Sequence, residues 1–240
     1  MATPKGGYYA ADGKRIPSVT TILGRFKDSS GLIKWAYRQG IEHQLLRSNG
    51  QPAPNDLYDV TQKAADAGTI AHDLIEQHLL QGQEQDWKAF VAREEFKHYS
   101  DNEQGVVDRA MNGYAQFKKW IAQTNLKITH TELSLKSEKY RFGGTLDGAG
   151  VDANGDRVLI DWKTSNAVYE DYLVQLAAYA LLLEECRPEL NPKGFHLLRV
   201  ARESADFAHY YWGELDVQKK QFLLMRELYD LAAITKKRVG

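Results

Sequence analysis

The feature that most constrains this chain is a short apolar run ending in charge, RVLIDWK at 157–163, set behind the turn signal Asp152-Ala153-Asn154-Gly155-Asp156. Asn-Gly between two strand-like segments is a hairpin signature. The pattern predicts one strand over 157–163 and its partner strand over 140–152. Strands alternate faces, so Val158, Ile160 and Trp162 share one face, and Leu159, Asp161 and Lys163 the other. If Ala153-Asn154-Gly155 is a three-residue loop with Gly155 left-handed, Asp152 faces Asp156. Counting back then sets Asp147 opposite Asp161, with Cβ atoms ~5 Å apart. A two-residue Asn154-Gly155 turn shifts the register by one and separates the acids onto opposite faces. Opposed carboxylates are destabilising unless something offsets them. A divalent cation would do so, and Lys163 on the same face would help. The longer loop is expected because it accounts for the acids.

The residues after this hairpin read as a helix over 168–185, with Leu173, Leu176, Ala177, Ala180 and Leu183 at helical spacing. Tyr172, Gln175 and Tyr179 lie three and four apart and share a face. Ahead of the hairpin the pattern is mostly helical. Asp12-Gly13 turns between two short strands, and Pro17-Ser18 opens a helix with Ser18 as N-cap. Further helices are expected over 32–48, 57–80, 87–99 and 106–124, with Phe90, Val91, Tyr114, Phe117, Trp120 and Ile121 as their core stripes. The run 127–136 alternates like a half-buried strand and carries Glu132, an exposed strand charge on the bland reading. Two more strands are expected over 194–201 and 207–213, where Arg199 and Arg202 are candidate phosphate contacts. A last helix over 216–237 carries Phe222, Leu223, Met225, Leu228 and Leu231. Its basic end, Lys236 to Arg238, complements the helix dipole in solvent. The expected architecture is one α/β domain spanning 1–240. A helical part at about 18–125 precedes a sheet core at about 126–240.

A strand carrying Asp161-x-Lys163, then a helix carrying Gln175-x-x-x-Tyr179, with Gly68-x-x-x-His72 upstream, resembles the PD-(D/E)XK nuclease superfamily in its RecB-like exonuclease branch. The opening YYAADGKRIPSVTTIL is similar to that of phage exonucleases and the mitochondrial genome maintenance exonuclease. The resemblance implies a restriction-endonuclease-like fold: a mixed central sheet flanked by helices. It implies Asp147 and Asp161 as metal ligands, with the Trp162 carbonyl, and His72 and Glu132 beside the metal. Lys163 becomes the catalytic lysine. Gln175, Tyr179, Tyr172, Thr164, Ser18 and Arg38 become substrate-positioning candidates. Taken alone, these residues have plainer readings. His72 is a lone histidine on a half-apolar face. Asp161 and Lys163 are a solvated ion pair worth ~0–1 kcal/mol. Trp35 and Tyr37 beside Arg38 pack in the core as readily as they stack on bases. His78 lacks the pattern and is expected to be exposed.

The implied activity is Mg2+- or Mn2+-dependent hydrolysis of DNA, by an exonuclease that prefers single-stranded ends. The alternatives are an endonuclease, a structure-specific nuclease, and a DNA-binding member without activity. Acids ~5 Å apart also suit a retaining glycosidase, but the adjacent lysine argues against one. Cys186 is the one cysteine, which excludes a disulfide scaffold and an iron–sulfur cluster on four cysteines within the chain. Lysine and arginine total 31 against 32 acids, so any DNA-binding positive surface must be local. No apolar leader or spanning run is evident, so the expected setting is the cytoplasm, with DNA as partner and no membrane. The sequence does not identify a recombination or replication partner protein.

Overall fold

The computed structural model describes residues 7–53, 57–82, 86, 92, 105–201 and 204–239. The expected helix over 87–99, with Phe90 and Val91, lies outside the described residues, as does Arg202. The chain opens with a two-stranded hairpin, β1 (Tyr8–Tyr9) and β2 (Arg15–Ile16). Helices α1 (Val19–Phe26), α2 (Ser30–Ser48), α3 (Leu57–Gln81) and α4 (Val106–Gln123) follow. Next come β3 (Lys127–Ser137), β4 (Phe142–Val151), β5 (Arg157–Thr164), α5 (Glu170–Cys186), β6 (Gly194–Val200), β7 (Phe207–Trp212) and α6 (Asp216–Val239). The strands form one sheet in the order β3-β4-β5-β6-β7, antiparallel throughout except for the parallel pair β5/β6 that α5 connects. This is the mixed, helix-flanked sheet that the resemblance implies. Among the described residues no helix is long and apolar enough to cross a membrane.

The turn sets the central register. Gly155 is left-handed at φ 78, and the Asp152 N–H donates to the Asp156 carbonyl at 2.9 Å. The three-residue loop therefore forms, and Val151 pairs with Arg157, Gly150 with Val158, and Gly148 with Ile160. Continuing that count sets Asp147 across from Asp161.

The two faces of β5 build two cores. Val158, Ile160 and Trp162 pack with Ile70, Ala71, Leu74, Tyr114, Phe117 and Trp120 of α3 and α4. Leu159 packs on the opposite face with α1, α5 and α6, through Ile22, Leu176, Leu183 and Phe222. Helix α5 runs under that face and is buried nearly all round, so Val174, Ala178, Leu181 and Leu182 join its expected stripe.

One expectation needs correction, and the apolar stripe of α6 is narrower than its leucines suggest. His78 is half-buried rather than exposed, because that face of α3 packs on α4 and its Nδ1 lies 3.0 Å from the Tyr114 hydroxyl. Leu228 and Leu231 are half exposed, because α6 meets the core along a narrow stripe centred on Phe222.

Candidate active site

Small residues let three elements converge at the end of β5. A Cβ added at Gly68 would lie 3.0 Å from Thr164 Oγ1, and one at Gly113 would lie 3.2 Å from Ala71 Cβ. Helix α3 therefore rides close against β5, and His72, one turn beyond Gly68, reaches the acids. Gly143 and Gly144 do the same on β4. A Cβ at Gly143 would overlap the Tyr8 ring at 2.2 Å, and one at Gly144 would meet Tyr179 at 2.8 Å. The glycine pair before Thr145 is thus held between tyrosines on opposite faces.

Strand β4 changes phase at the site. Phe142, Leu146 and Ala149 all join the core beneath α5, although strict alternation would separate Ala149 from the other two. Gly148 lies against Trp162 on the other face. The β3/β4 ladder pairs Leu133 with Leu146 and Thr131 with Gly148, which leaves Glu132 across from Asp147. Glu132 is left-handed at φ 48. That conformation in a non-glycine residue costs ~1–3 kcal/mol and persists only where the surroundings enforce it. The strain coincides with the acids.

The two aspartates have different neighbours. Asp161 is 1% exposed; its Oδ1 accepts from Lys163 Nζ at 2.8 Å. Its Oδ2 lies 2.7 Å from the same nitrogen but outside hydrogen-bond geometry, and has no hydrogen-bond partner. Asp147 Oδ2 accepts the Trp162 backbone N–H at 3.0 Å, where the β4/β5 ladder stops. Lys163 Nζ is 4.0 Å from Asp147 Oδ2, and His72 Nδ1 is 3.7 Å from Asp147 Oδ1. His72, Glu132 and Asp147 each direct a ligand atom into one space, all within 4.8 Å of one another.

Burial drives the electrostatics. It raises the Asp147 and Asp161 carboxyls against the pull of Lys163, and the negative charge of Asp147 raises Asp161 further. Glu132 is pushed up to about 7 by burial, then by the charge of Asp147, with a contribution from Glu76. His72 is pushed down to about 4 by burial and by Lys163, which leaves a neutral imidazole. Burial alone would lower Lys163, but Asp161 and Asp147 outweigh it and hold the ammonium protonated well above its usual range. The cluster on the β3 side therefore holds crowded acids and a neutral imidazole, with an ammonium at its edge. That donor set suits a hard divalent cation.

The other expected residues divide by location. Gln175 donates to the Tyr179 hydroxyl at 2.7 Å, and burial raises the Tyr179 pKa. Lys163 Nζ sits 5.7 Å from the Tyr172 ring, so this face of α5 borders the lysine. Thr164 lies beside α3 at Gly68. Ser18 is a true N-cap, accepting the Thr21 N–H at 3.0 Å; it lines a different cleft, beside β1 and β2. Arg38 is exposed on α2, where Tyr37 is 72% exposed and Trp35 half-buried. Arg199 is paired with Asp206 at 2.7 Å. Glu76 is an acid the sequence reading left without a role. It is 7% exposed, one turn past His72, and that i, i+4 spacing was its available signal.

Comparison with known proteins agrees with this arrangement at the level of family. A family model described as the PD-(D/E)XK nuclease superfamily matches residues 40–236. Among curated proteins, none matches. Among solved structures, SSO0001 is similar at 15% identity and a TM-score of 0.35, over 67% of this chain and 84% of that one. The alkaline exonuclease LHK-Exo from Laribacter hongkongensis is 11% identical with a TM-score of 0.34, over 52% and 71%. LHK-Exo in complex with dAMP is 12% identical with a TM-score of 0.36, over 74% and 92%.

Proposed function

The chain belongs to the PD-(D/E)XK nuclease superfamily, and from that premise we propose that it is a Mg2+- or Mn2+-dependent DNA exonuclease preferring single strands with a free end. The observation that carries the reading is the junction of two groups: the donors of His72, Glu132 and Asp147 within 4.8 Å, beside the buried Asp161–Lys163 pair. A solvated strand end would hold neither.

The proposed roles follow from the neighbours. Asp147, His72 and Glu132 would hold the cation, with Asp161 and the Trp162 carbonyl as further candidate ligands. A bound cation would supply Lewis-acid chemistry, offsetting charge on a phosphate oxygen and acidifying a water. Lys163 stays protonated under the two aspartates. Its ammonium stabilises negative charge that develops on the reacting phosphate. Asp161 fixes that ammonium in place. Gln175 and Tyr179, joined to each other, and Tyr172 beside Lys163 position the strand. Thr164 and Arg38 are further positioning candidates, and Ser18 contributes from the neighbouring cleft. The whole chain acts as one nuclease domain in the cytoplasm.

The preference for single strands rests on the helical half. Tyr37 is 72% exposed on α2, beside Arg38, and is available to stack on an unpaired base. The test compares linear and circular single-stranded DNA of equal sequence during a Mg2+ titration. Cleavage confined to linear DNA is expected. Equal rates on both would favour an endonuclease, and metal-independent binding without cleavage would favour an inactive binding member.

A further inference from the structure

Helix α6 has two apolar faces, one of which packs on the core. Phe222 is buried there, with Leu223, Met225 and Tyr229 partly buried around it, against α1 and α5. Val217, Leu224 and Leu231 recur every seven residues and lie ~180–220° around the helix from Phe222, with Leu228 beside them. These four side chains are 50–74% exposed. Single apolar residues at a surface are ordinary, but a seven-residue repeat running ~21 Å along one helix face is the seam of a helix pair. The flanks of the stripe differ. Lys220 and Glu227, also seven apart and exposed, lie along one side, and Met225 and Ala232 lie along the other. The helix begins at Asp216, just after Glu214, and ends in Lys236, Lys237 and Arg238.

We infer that this stripe docks a second copy of the chain, with the two α6 helices antiparallel across a two-fold axis close to Leu224. A two-fold interface must be complementary to itself, and the charges meet that condition in one orientation. In the antiparallel pair the two Leu224 side chains meet near the axis, and Val217 of each protomer lies by Leu228 and Leu231 of its partner. Lys220 of each protomer then faces Glu227 of its partner, which gives two ion pairs flanking the seam. A parallel pair would set Lys220 beside Met225 and Glu227 beside Ala232, with no ion pair. It would also bring two Lys236–Arg238 ends together. The antiparallel pair separates those basic ends and directs each towards Glu214 and Asp216 at the start of the partner's helix, with the two helix dipoles opposed. The overlap is short, ~24 Å of paired helix. That places the dimer at the weak end of specific interfaces, where concentration governs it.

The test is sedimentation equilibrium of the full chain, without DNA or metal, from about 1 to about 100 µM. The wild type is expected to pass from a 27.2 kDa monomer to a dimer as concentration rises. Leu224→Glu/Leu231→Glu is expected to weaken the dimer at least tenfold. Both leucines are exposed, so thermal unfolding of that variant at the lowest concentration is expected to match the wild type. Glu227→Lys alone opposes two cations on each flank and is expected to weaken the dimer about threefold, less so in high salt. The exchanged pair Lys220→Glu/Glu227→Lys is expected to restore it. A wild type that stays monomeric throughout would overturn the inference and leave the stripe to a different partner. A dimer indifferent to the leucine substitutions would overturn it by placing the interface elsewhere. Failure of the exchanged pair to recover what Glu227→Lys loses would overturn the antiparallel arrangement.

Discussion

Asp147 and Asp161 sit across from each other on neighbouring strands, yet they do different things. Asp161 is neutralised from within: Lys163 lies 2.7–2.8 Å from its oxygens. Asp147 faces His72 and Glu132, with its nearest ammonium contact at 4.0 Å. One acid completes an ion pair, and the other crowds more acid into a pocket. A buried like-charge cluster is costly without a cation. The difference therefore teaches where the site needs a partner from outside: on the Asp147 side.

The largest effects should fall on cleavage, and they separate the two halves. Lys163→Ala is expected to reduce the single-turnover rate by at least ~10²–10³-fold while metal affinity persists. Asp147→Asn keeps an acceptor for the Trp162 N–H but removes the charge, and should lose cleavage and metal affinity together. Calorimetric titration with Mn2+ distinguishes them. If Lys163→Ala loses as much metal affinity as Asp147→Asn, the division into halves is wrong.

Stability should show the next effect. Asp161→Ala leaves the buried Lys163 ammonium without its close partner, at a cost of about 3 kcal/mol. Asp147→Asn relieves repulsion and should hold or raise stability without metal. Denaturant unfolding in chelator measures both, and equal losses would show that Asp161 is no better compensated than Asp147.

The pH dependence should be smaller and has a definite sign. Glu132 binds its proton more tightly folded than unfolded, since its pKa is pushed up to about 7. Stability from that proton is present at low pH and is lost as pH rises through about 7. Glu132→Gln should therefore gain in melting temperature relative to wild type as pH goes from about 5 to about 8 in chelator. His72 contributes the opposite slope below its ordinary range, because its pKa falls to about 4. It does so in both proteins, so the difference between them isolates Glu132. A difference that shrinks with pH would contradict the assignment of Glu132 to the crowded side.

The smallest effect is expected at Gln175. Its hydrogen bond to Tyr179 is worth about 1 kcal/mol, so Gln175→Ala should slow cleavage roughly fivefold. Full activity on short and long DNA alike would remove it from the positioning set.

Much of this was legible in the chain because the relevant physics is local. Asp152 through Asp156 form a turn whose geometry Gly155 permits, and that turn carries Asp147 to the level of Asp161, fourteen residues further along the chain. Ser18 caps α1, and Gln175 meets Tyr179 one helical turn on, by spacings of three and four. The sequence order of acids, lysine and helix also announced the superfamily.

Other features arise from contacts between distant segments, where no spacing rule operates. Nothing near His78 foretold Tyr114, and nothing in the leucine pattern of α6 foretold that Leu228 and Leu231 would face solvent. Gly68 brings His72 to the acids only because Thr164, almost a hundred residues on, occupies the space a Cβ would need. The strained backbone at Glu132 appears where β4 changes phase. The cleft beside β1 and β2 joins residues 14 and 15 to residues 141 and 226. The sequence by itself determined the hairpin and the identity of the chemical groups, because turn and helix geometry act over a few residues, while the choice between its two possible registers came from the turn hydrogen bonds. Tertiary structure alone decided which aspartate is neutralised and which is left crowded, because burial and charge depend on what packs nearby in space.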